Sequence, residues 1–218
     1  VLYVEKIGDF TGINLEKIVE LEPDLVINYG SGNEEENKRF EEAGITYAGF
    51  EPESIDAVID TINRIGKLIG SVDEAESLTL NMINHRDEIL SKVKDVETKT
   101  VFYEIWHDPL MAAGAGSFMD ELITLAGGDN IAKDADGEYP QFDLEQLVER
   151  NPQVYLTSID FPEKTAESIM TRPGYENIDA IINGRVYLLD PNIVSRPGPR
   201  IIEALEIVAK SIHPEVFK

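Results

Sequence analysis

The chain has 218 residues, of which 42% are hydrophobic, enough for one large domain or two small lobes with apolar cores. Its formal net charge of −23 repels phosphate backbones and anionic lipid, so nucleic-acid binding and membrane-surface binding are disfavoured, whereas cationic, metal-bearing or neutral ligands are compatible. The absence of cysteine excludes thiol nucleophiles, thiolate metal sites and disulfides.

Short β-rich segments alternate with helical ones along the chain, which predicts an α/β fold with mainly parallel sheets. The predicted helices begin near Asn14, Asn33, Ser54, Asp73, Ser117, Asp143 and Gly198, several of which are residues that cap a first helical turn. The predicted strands are Asp24–Tyr29, Ile45–Phe50, Thr100–Ile105, Gln153–Ser158 and Arg185–Leu189.

One predicted helix, from Asp73 to about Val96, has no glycine or proline and would form a rod of roughly 36 Å. Its periodicity suits both an ordinary surface helix and a rod that joins two lobes. Since it lies between two sections of similar plan, we expect an N-terminal lobe over residues 1–72, a linking helix over 73–96 and a C-terminal lobe over 97–218.

An internal repeat is the most informative feature of the sequence. Residues 13–27 align without a gap with residues 142–156, and leucine, valine, proline and two glutamates recur at the same places. Each copy predicts a capped helix, a proline-marked turn and a buried strand. Two copies on either side of a long helix predict two related lobes, with a ligand in the cleft between them.

The repeat also pairs two acids and two aromatics. Glu16 matches Glu145, and each either occupies a first helical turn because the helix dipole favours an acid there, or forms an anionic contact for a partner's arginines. Phe10 and Tyr139 lie six residues before these acids. They are interpreted either as core residues at the lobe edge or as aromatics that contact a ligand.

The chain resembles the class III periplasmic binding proteins, which serve importers of iron–siderophore complexes, haem and vitamin B12. The similarity extends in order over essentially the whole chain. The segments that carry it are residues 12–19, 22–27, 113–118, 126–132, 196–201 and 213–215.

The resemblance implies a non-enzymatic, extracytoplasmic receptor that delivers a metal chelate or corrinoid to an ABC importer. It implies no resident cofactor, and it assigns Glu16 and Glu145 to docking on the permease. The scattered positions of the three histidines predict no structural metal. Phe10 and Tyr139 align with tryptophans of vitamin B12-binding members, and Tyr29 aligns with another rim aromatic. Trp106 and Arg196 lie on second-lobe loops, where ligand contact is weighed against packing for Trp106 and against a surface ion pair for Arg196.

Family members carry some tens of residues upstream of the matching region, so we expect a truncated first lobe of about 70 residues against about 120 in the second. Such a lobe exposes a strand edge through which two chains could form a dimer. No signal segment precedes Val1 in this sequence, and the full-length form is expected to be anchored to the membrane.

Two other functions stay open from the residues alone. One is a metal-cofactor enzyme or scaffold of similar α/β layout with His107 as a ligand, although the three histidines are scattered and form no metal-binding motif. The other is an interaction module in which the two glutamates matter and the cleft stays empty.

Overall fold

The structure is a computed structural model that describes residues 4–9, 12–30, 34–159 and 163–217. Helices and strands alternate, as predicted, and the chain forms two compact units, Val1–Pro52 and Glu53–Lys218. The predicted division into residues 1–72, 73–96 and 97–218 stays a prediction. Among the described residues, no helix is both long and apolar enough to cross a membrane.

The first unit contains two small sheets and two helices. Its elements are β1 (Gly8–Asp9), β2 (Gly12–Ile13), α1 (Leu15–Glu20), β3 (Val26–Tyr29), α2 (Glu34–Glu42) and β4 (Tyr47–Phe50). Strands β1 and β2 are antiparallel, whereas β3 and β4 are parallel. The core of this unit is small and consists of Ile18, Val26 and Phe40, with the ring of Tyr47 5.4 Å from that of Phe40.

The second unit begins with two long helices, α3 (Ile55–Ile69) and α4 (Val72–Val93). Gly70 ends α3 in a left-handed conformation (φ 76°), which glycine adopts without steric cost. Helix α4 has 22 residues, and its side chains Ala75, Met82 and Ile89 are buried against the rest of the unit.

The rest of the second unit surrounds a five-stranded sheet. Its elements are β5 (Lys99–His107), β6 (Leu110–Ala112), α5 (Phe118–Leu125), β7 (Gly128–Asn130), α6 (Leu144–Arg150), β8 (Val154–Ser158), α7 (Ala166–Met170), α8 (Asp179–Ile182), β9 (Val186–Leu189), α9 (Pro191–Val194), α10 (Ile201–Ile212) and a 3-10 turn (Pro214–Val216). β8 lies between β5 and β9, all three parallel, and β5 also pairs with β6 (antiparallel) and β7 (parallel).

Alternate residues of the central strands face two separate apolar layers. Val101 and Leu156 belong to a core shared with α3, α4, α5 and α10, whereas Phe102 and Tyr155 belong to a core shared with α6, α7 and α8. The sheet therefore has helices on both faces, as expected for strands buried on both sides.

The predicted repeat recurs as local structure. Asn14 and Asp143 each cap a helix through a side-chain oxygen, which accepts the backbone N–H of the residue three positions later at 3.0 and 2.7 Å. Glu22 and Asn151 occupy matching places before a proline, and both have positive φ, 46° and 43°. A parallel strand pair follows in each copy, β3 with β4 and β8 with β9.

Candidate functional site

The carboxyl ends of the parallel strands β5, β8 and β9 lie at one edge of the second unit's sheet, where ligands of α/β proteins bind. β5 ends with Trp106 and His107, and Arg196 lies in the segment that follows β9 and α9. Trp106, one of the residues predicted to bind a ligand, therefore lies at this edge.

Trp106 was expected on a loop, but it lies within β5, one residue before the turn that joins β5 to β6. Trp106 pairs with Met111 across the turn, and its indole N–H donates to the backbone carbonyl of Asp108 at 2.9 Å. The side chain is nevertheless 42% exposed. Since the N–H has a partner within the protein, the ring is oriented while part of it stays exposed to solvent.

Tyr139 lies on the segment that runs beside β6. Ala112 N–H donates to the Pro140 carbonyl at 3.0 Å, and Met111 forms a bridge with Gln141. Because Met111 also pairs with Trp106, the segments that carry the two predicted aromatics adjoin the same strand. Tyr139 is 52% exposed.

Arg196 of the second unit and Tyr29 of the first unit were also predicted to bind the ligand. Arg196 is exposed and follows β9, which is separated from β5 by β8. Tyr29, the last residue of β3 in the first unit, is 66% exposed. Phe10 lies outside the described residues, so its assignment stays a prediction.

The two predicted docking glutamates occupy equivalent positions. Glu16 lies in the first turn of α1 and Glu145 in the first turn of α6, and both are exposed. Each follows a capping residue by two positions, so the favourable interaction of an acid with the helix dipole applies to both. Exposure at matching places is compatible with the docking interpretation as well.

A buried ionic cluster near the edge was missed by the sequence interpretation. Glu104 is fully buried on β5, and its carboxylate contacts Lys164 Nζ at 3.1 Å, the guanidinium of Arg172 and the hydroxyl of Tyr155. The only signal in the sequence was an acid within the apolar run of residues 101–106.

The charges of the cluster set its protonation. Burial by itself would raise the pKa of Glu104, but the hydrogen bonds from Arg172 and Tyr155, together with the charges of Arg172 and Lys164, hold that pKa below its ordinary value. Burial and the Glu104 carboxylate raise the pKa of the Tyr155 hydroxyl well above its ordinary value. The acid is therefore ionised and the tyrosine protonated at neutral pH.

His107, considered above as a metal ligand, is exposed at the end of β5, with its ring 5.7 Å from that of Trp106. In the part of the chain that the structure describes, no group of three or more histidines and acids is placed to hold a metal ion.

Comparison with known proteins places the chain in a family. The family model described as "Periplasmic binding protein" matches residues 1–193. An ABC transporter substrate-binding lipoprotein of Bacillus subtilis, YvrC, is 34% identical over 99% of this chain and 69% of its own length. The vitamin B12-binding protein of Vibrio vulnificus is 27% identical over 95% of this chain and 75% of its own length.

A solved structure shares the fold as well. A possible iron-binding, periplasmic solute-binding protein from Staphylococcus epidermidis superposes with a TM-score of 0.82 at 27% identity, covering 93% of this chain and 81% of that one. With the match over residues 1–193, this shows that the chain belongs to the periplasmic binding protein family, whose members are non-enzymatic carriers.

Proposed function

We propose that this chain is the extracytoplasmic binding component of an ABC importer and that it binds a metal chelate or corrinoid. The observation that carries the proposal is the pair of exposed aromatics, Trp106 and Tyr139, on adjoining segments of the second unit's sheet in a chain of this family. The metal-cofactor enzyme is not favoured, because the family consists of carriers.

The chemistry of the exposed groups supports a large, flat ligand. Aromatic faces suit the planar ring of a corrinoid or porphyrin, and the relatives include a vitamin B12-binding protein and a possible iron-binding protein. A strongly anionic siderophore is less suited to a chain of net charge −23. The metal enters as cargo within the ligand.

Titration of the single tryptophan tests this function. Cobalamin, haemin and ferric siderophores of the catecholate and hydroxamate classes are added in turn, with tryptophan emission and calorimetry as readouts. Saturable, reversible binding of one class is expected, and Trp106→Ala should weaken it more than Trp106→Phe, which keeps an aromatic face. Absence of binding by every ligand would overturn the proposal.

Docking of the permease is proposed to use Glu16 and Glu145, one on each copy of the repeat. Their support is their exposure at equivalent positions and the presence of substrate-binding components of ABC transporters among the relatives. Changing both to alanine should abolish permease-coupled uptake and leave ligand affinity unchanged. The matched control changes Glu20 and Glu149, exposed acids at equivalent places on the same helices. Equal loss of uptake in both double variants would contradict the assignment.

Pairing of two chains is proposed where the edge of β3 opposite β4 stays open. Among the described residues β3 pairs only with β4, and Ile27 on β3 is 42% exposed. Light scattering across a concentration series should show a dimer that Ile27→Lys disrupts, and a monomer at every concentration would exclude it. Membrane anchoring of a full-length form is also proposed, supported by the lipoprotein among the relatives.

A further inference from the structure

The Glu104 cluster joins segments that are distant in sequence. Arg172 binds the carboxylate through both terminal nitrogens, Nη1 to Oε2 and Nη2 to Oε1, the second at 3.4 Å. Lys164 is almost completely buried at 2% side-chain exposure. Thr157 on β8 donates to the backbone carbonyl of Glu104 at 3.0 Å, so both the side chain and the backbone of this residue are held.

These contacts lie on the strand that carries Trp106, a residue of the proposed ligand site. Glu104 precedes Trp106 by two residues on β5, and the pairing with β6 shifts register between them. Lys164 lies between the end of β8 and the start of α7, and Arg172 follows α7. The Glu104 carboxylate therefore connects β5, which carries Trp106, to the segment that follows β8.

Stability alone does not account for such a group. A buried ion pair can often be replaced by apolar side chains of similar volume without loss of stability, because desolvation offsets the attraction between the charges. Ionic hydrogen bonds do, however, impose direction and distance, and the two-point contact with Arg172 imposes both.

We propose that Glu104 is a positioning residue that sets the orientation of Trp106 and, through it, ligand affinity. The inference rests on the proposed function, since Trp106 is assigned to the ligand. The Glu104 carboxylate holds β5 against Arg172 and the segment that contains Lys164. The position of the end of β5, and therefore of the turn that follows it, is fixed by these contacts. Loss of these contacts releases the turn and misplaces the indole.

The test compares Glu104→Gln with Glu121→Gln. Glu121 is a suitable control because it is a partly buried acid of the same unit, where it accepts the Ile55 N–H at 3.0 Å, a contact that glutamine retains. Folding is monitored by far-ultraviolet circular dichroism. The emission maximum and acrylamide quenching of Trp106 report its orientation without any ligand.

The expected result is a shift of Trp106 emission and easier quenching in folded Glu104→Gln, with affinity for cobalamin or haemin lowered about tenfold or more. Glu121→Gln should match the wild type. An unchanged Trp106 signal and full affinity in folded Glu104→Gln would overturn the proposal, as would reduced stability without a change in that signal.

A second variant keeps the test decisive if Glu104→Gln does not fold. Arg172→Lys retains the charge but loses the two-point contact, so it should shift Trp106 emission to a smaller extent. If neither probe binds the wild type, the proposed function fails, whereas the ligand-free Trp106 signals still decide whether Glu104 positions the indole.

Discussion

Strands β3 and β8 occupy equivalent places in the two copies of the repeat, but they differ in their surroundings. All five residues of β8 are buried, with β5 on one side and β9 on the other. In β3 only Val26 is buried, Ile27 and Tyr29 are exposed, and β4 is the one strand paired with it among the described residues. The same local pattern thus produces a buried strand only where a second neighbour is present.

The difference extends to matching polar side chains. Thr157 on β8 donates to the Glu104 carbonyl of β5. Its equivalent on β3 is Asn28, whose side-chain N and O are shielded from solvent and have no partner within the described residues. A cavity of about 430 Å³ adjoins Asn28, and its lining residues include Ile18 and Phe40. The first copy is therefore less completely packed than the second.

The largest difference between the two copies should be in their stability at low pH, because only the second copy adjoins the ionised Glu104 among the described residues. The folded-state pKa of Glu104 is below its ordinary value of 4.5, so its stabilisation is complete above that pH and disappears as the pH falls through the folded-state pKa. Protonation removes the anion that Lys164 and Arg172 contact, so the free energy of unfolding should fall as the pH falls through this range.

Urea unfolding of the wild type and Glu104→Gln, followed by Trp106 emission from about pH 6 to about pH 2, isolates this effect from other acids. The difference in free energy of unfolding between the wild type and Glu104→Gln should be largest at about pH 6 and should decrease as the pH falls. A difference independent of pH would mean that Glu104 stabilises the fold by packing alone.

Core truncation at matching positions tests the difference in burial. Leu156 on β8 is fully buried, whereas its equivalent Ile27 on β3 is 42% exposed. Leu156→Ala should lower the free energy of unfolding by about 2–5 kcal/mol, and Ile27→Ala by less than about 1 kcal/mol. Chemical denaturation measures both, and equal losses would mean that β3 has a second neighbour in solution.

The sequence predicted the local elements well, because their signals are local. Asn14 and Asp143 were expected to cap helices, and both do. The five predicted strands were recognisable from their apolar runs and correspond to β3, β4, β5, β8 and β9. Short elements such as β1, β6 and α8 were not predicted, because two to four residues show no periodicity.

Contacts between distant residues could not be predicted in the same way. Glu104 meets Lys164 and Arg172 across 60 or more residues of chain, and nothing in the spacing of these three indicates that they meet. The adjoining positions of Trp106 and Tyr139 likewise depend on the pairing of β6 with two segments. The candidate site was thus predictable as a set of exposed aromatics but not as a geometry.

Polar substitutions on the two strands should have opposite signs. Thr157→Val removes the donor to a buried carbonyl and should destabilise by about 1–2 kcal/mol. Asn28→Leu removes two shielded polar atoms that have no partner in the part of the chain that the structure describes, and it should stabilise by about 1 kcal/mol. Thermal and urea unfolding decide the signs, and a loss of stability in Asn28→Leu would show that its amide has a partner in solution.

Substituting glycine for the residue before the proline in each copy should change the free energy of unfolding in opposite directions, and this is the smallest of the expected effects. Glu22 has φ 46°, a conformation that disfavours a side chain, so Glu22→Gly should stabilise by about 0.5 kcal/mol after the extra freedom of glycine in the unfolded chain is included. Asn151 has φ 43°, but its side-chain oxygen accepts the Asp179 N–H at 2.7 Å. Asn151→Gly loses this bond and should destabilise by about 1 kcal/mol. If urea unfolding shows the same sign for both, the tertiary contact contributes less than the turn, and the two copies are equivalent at this point.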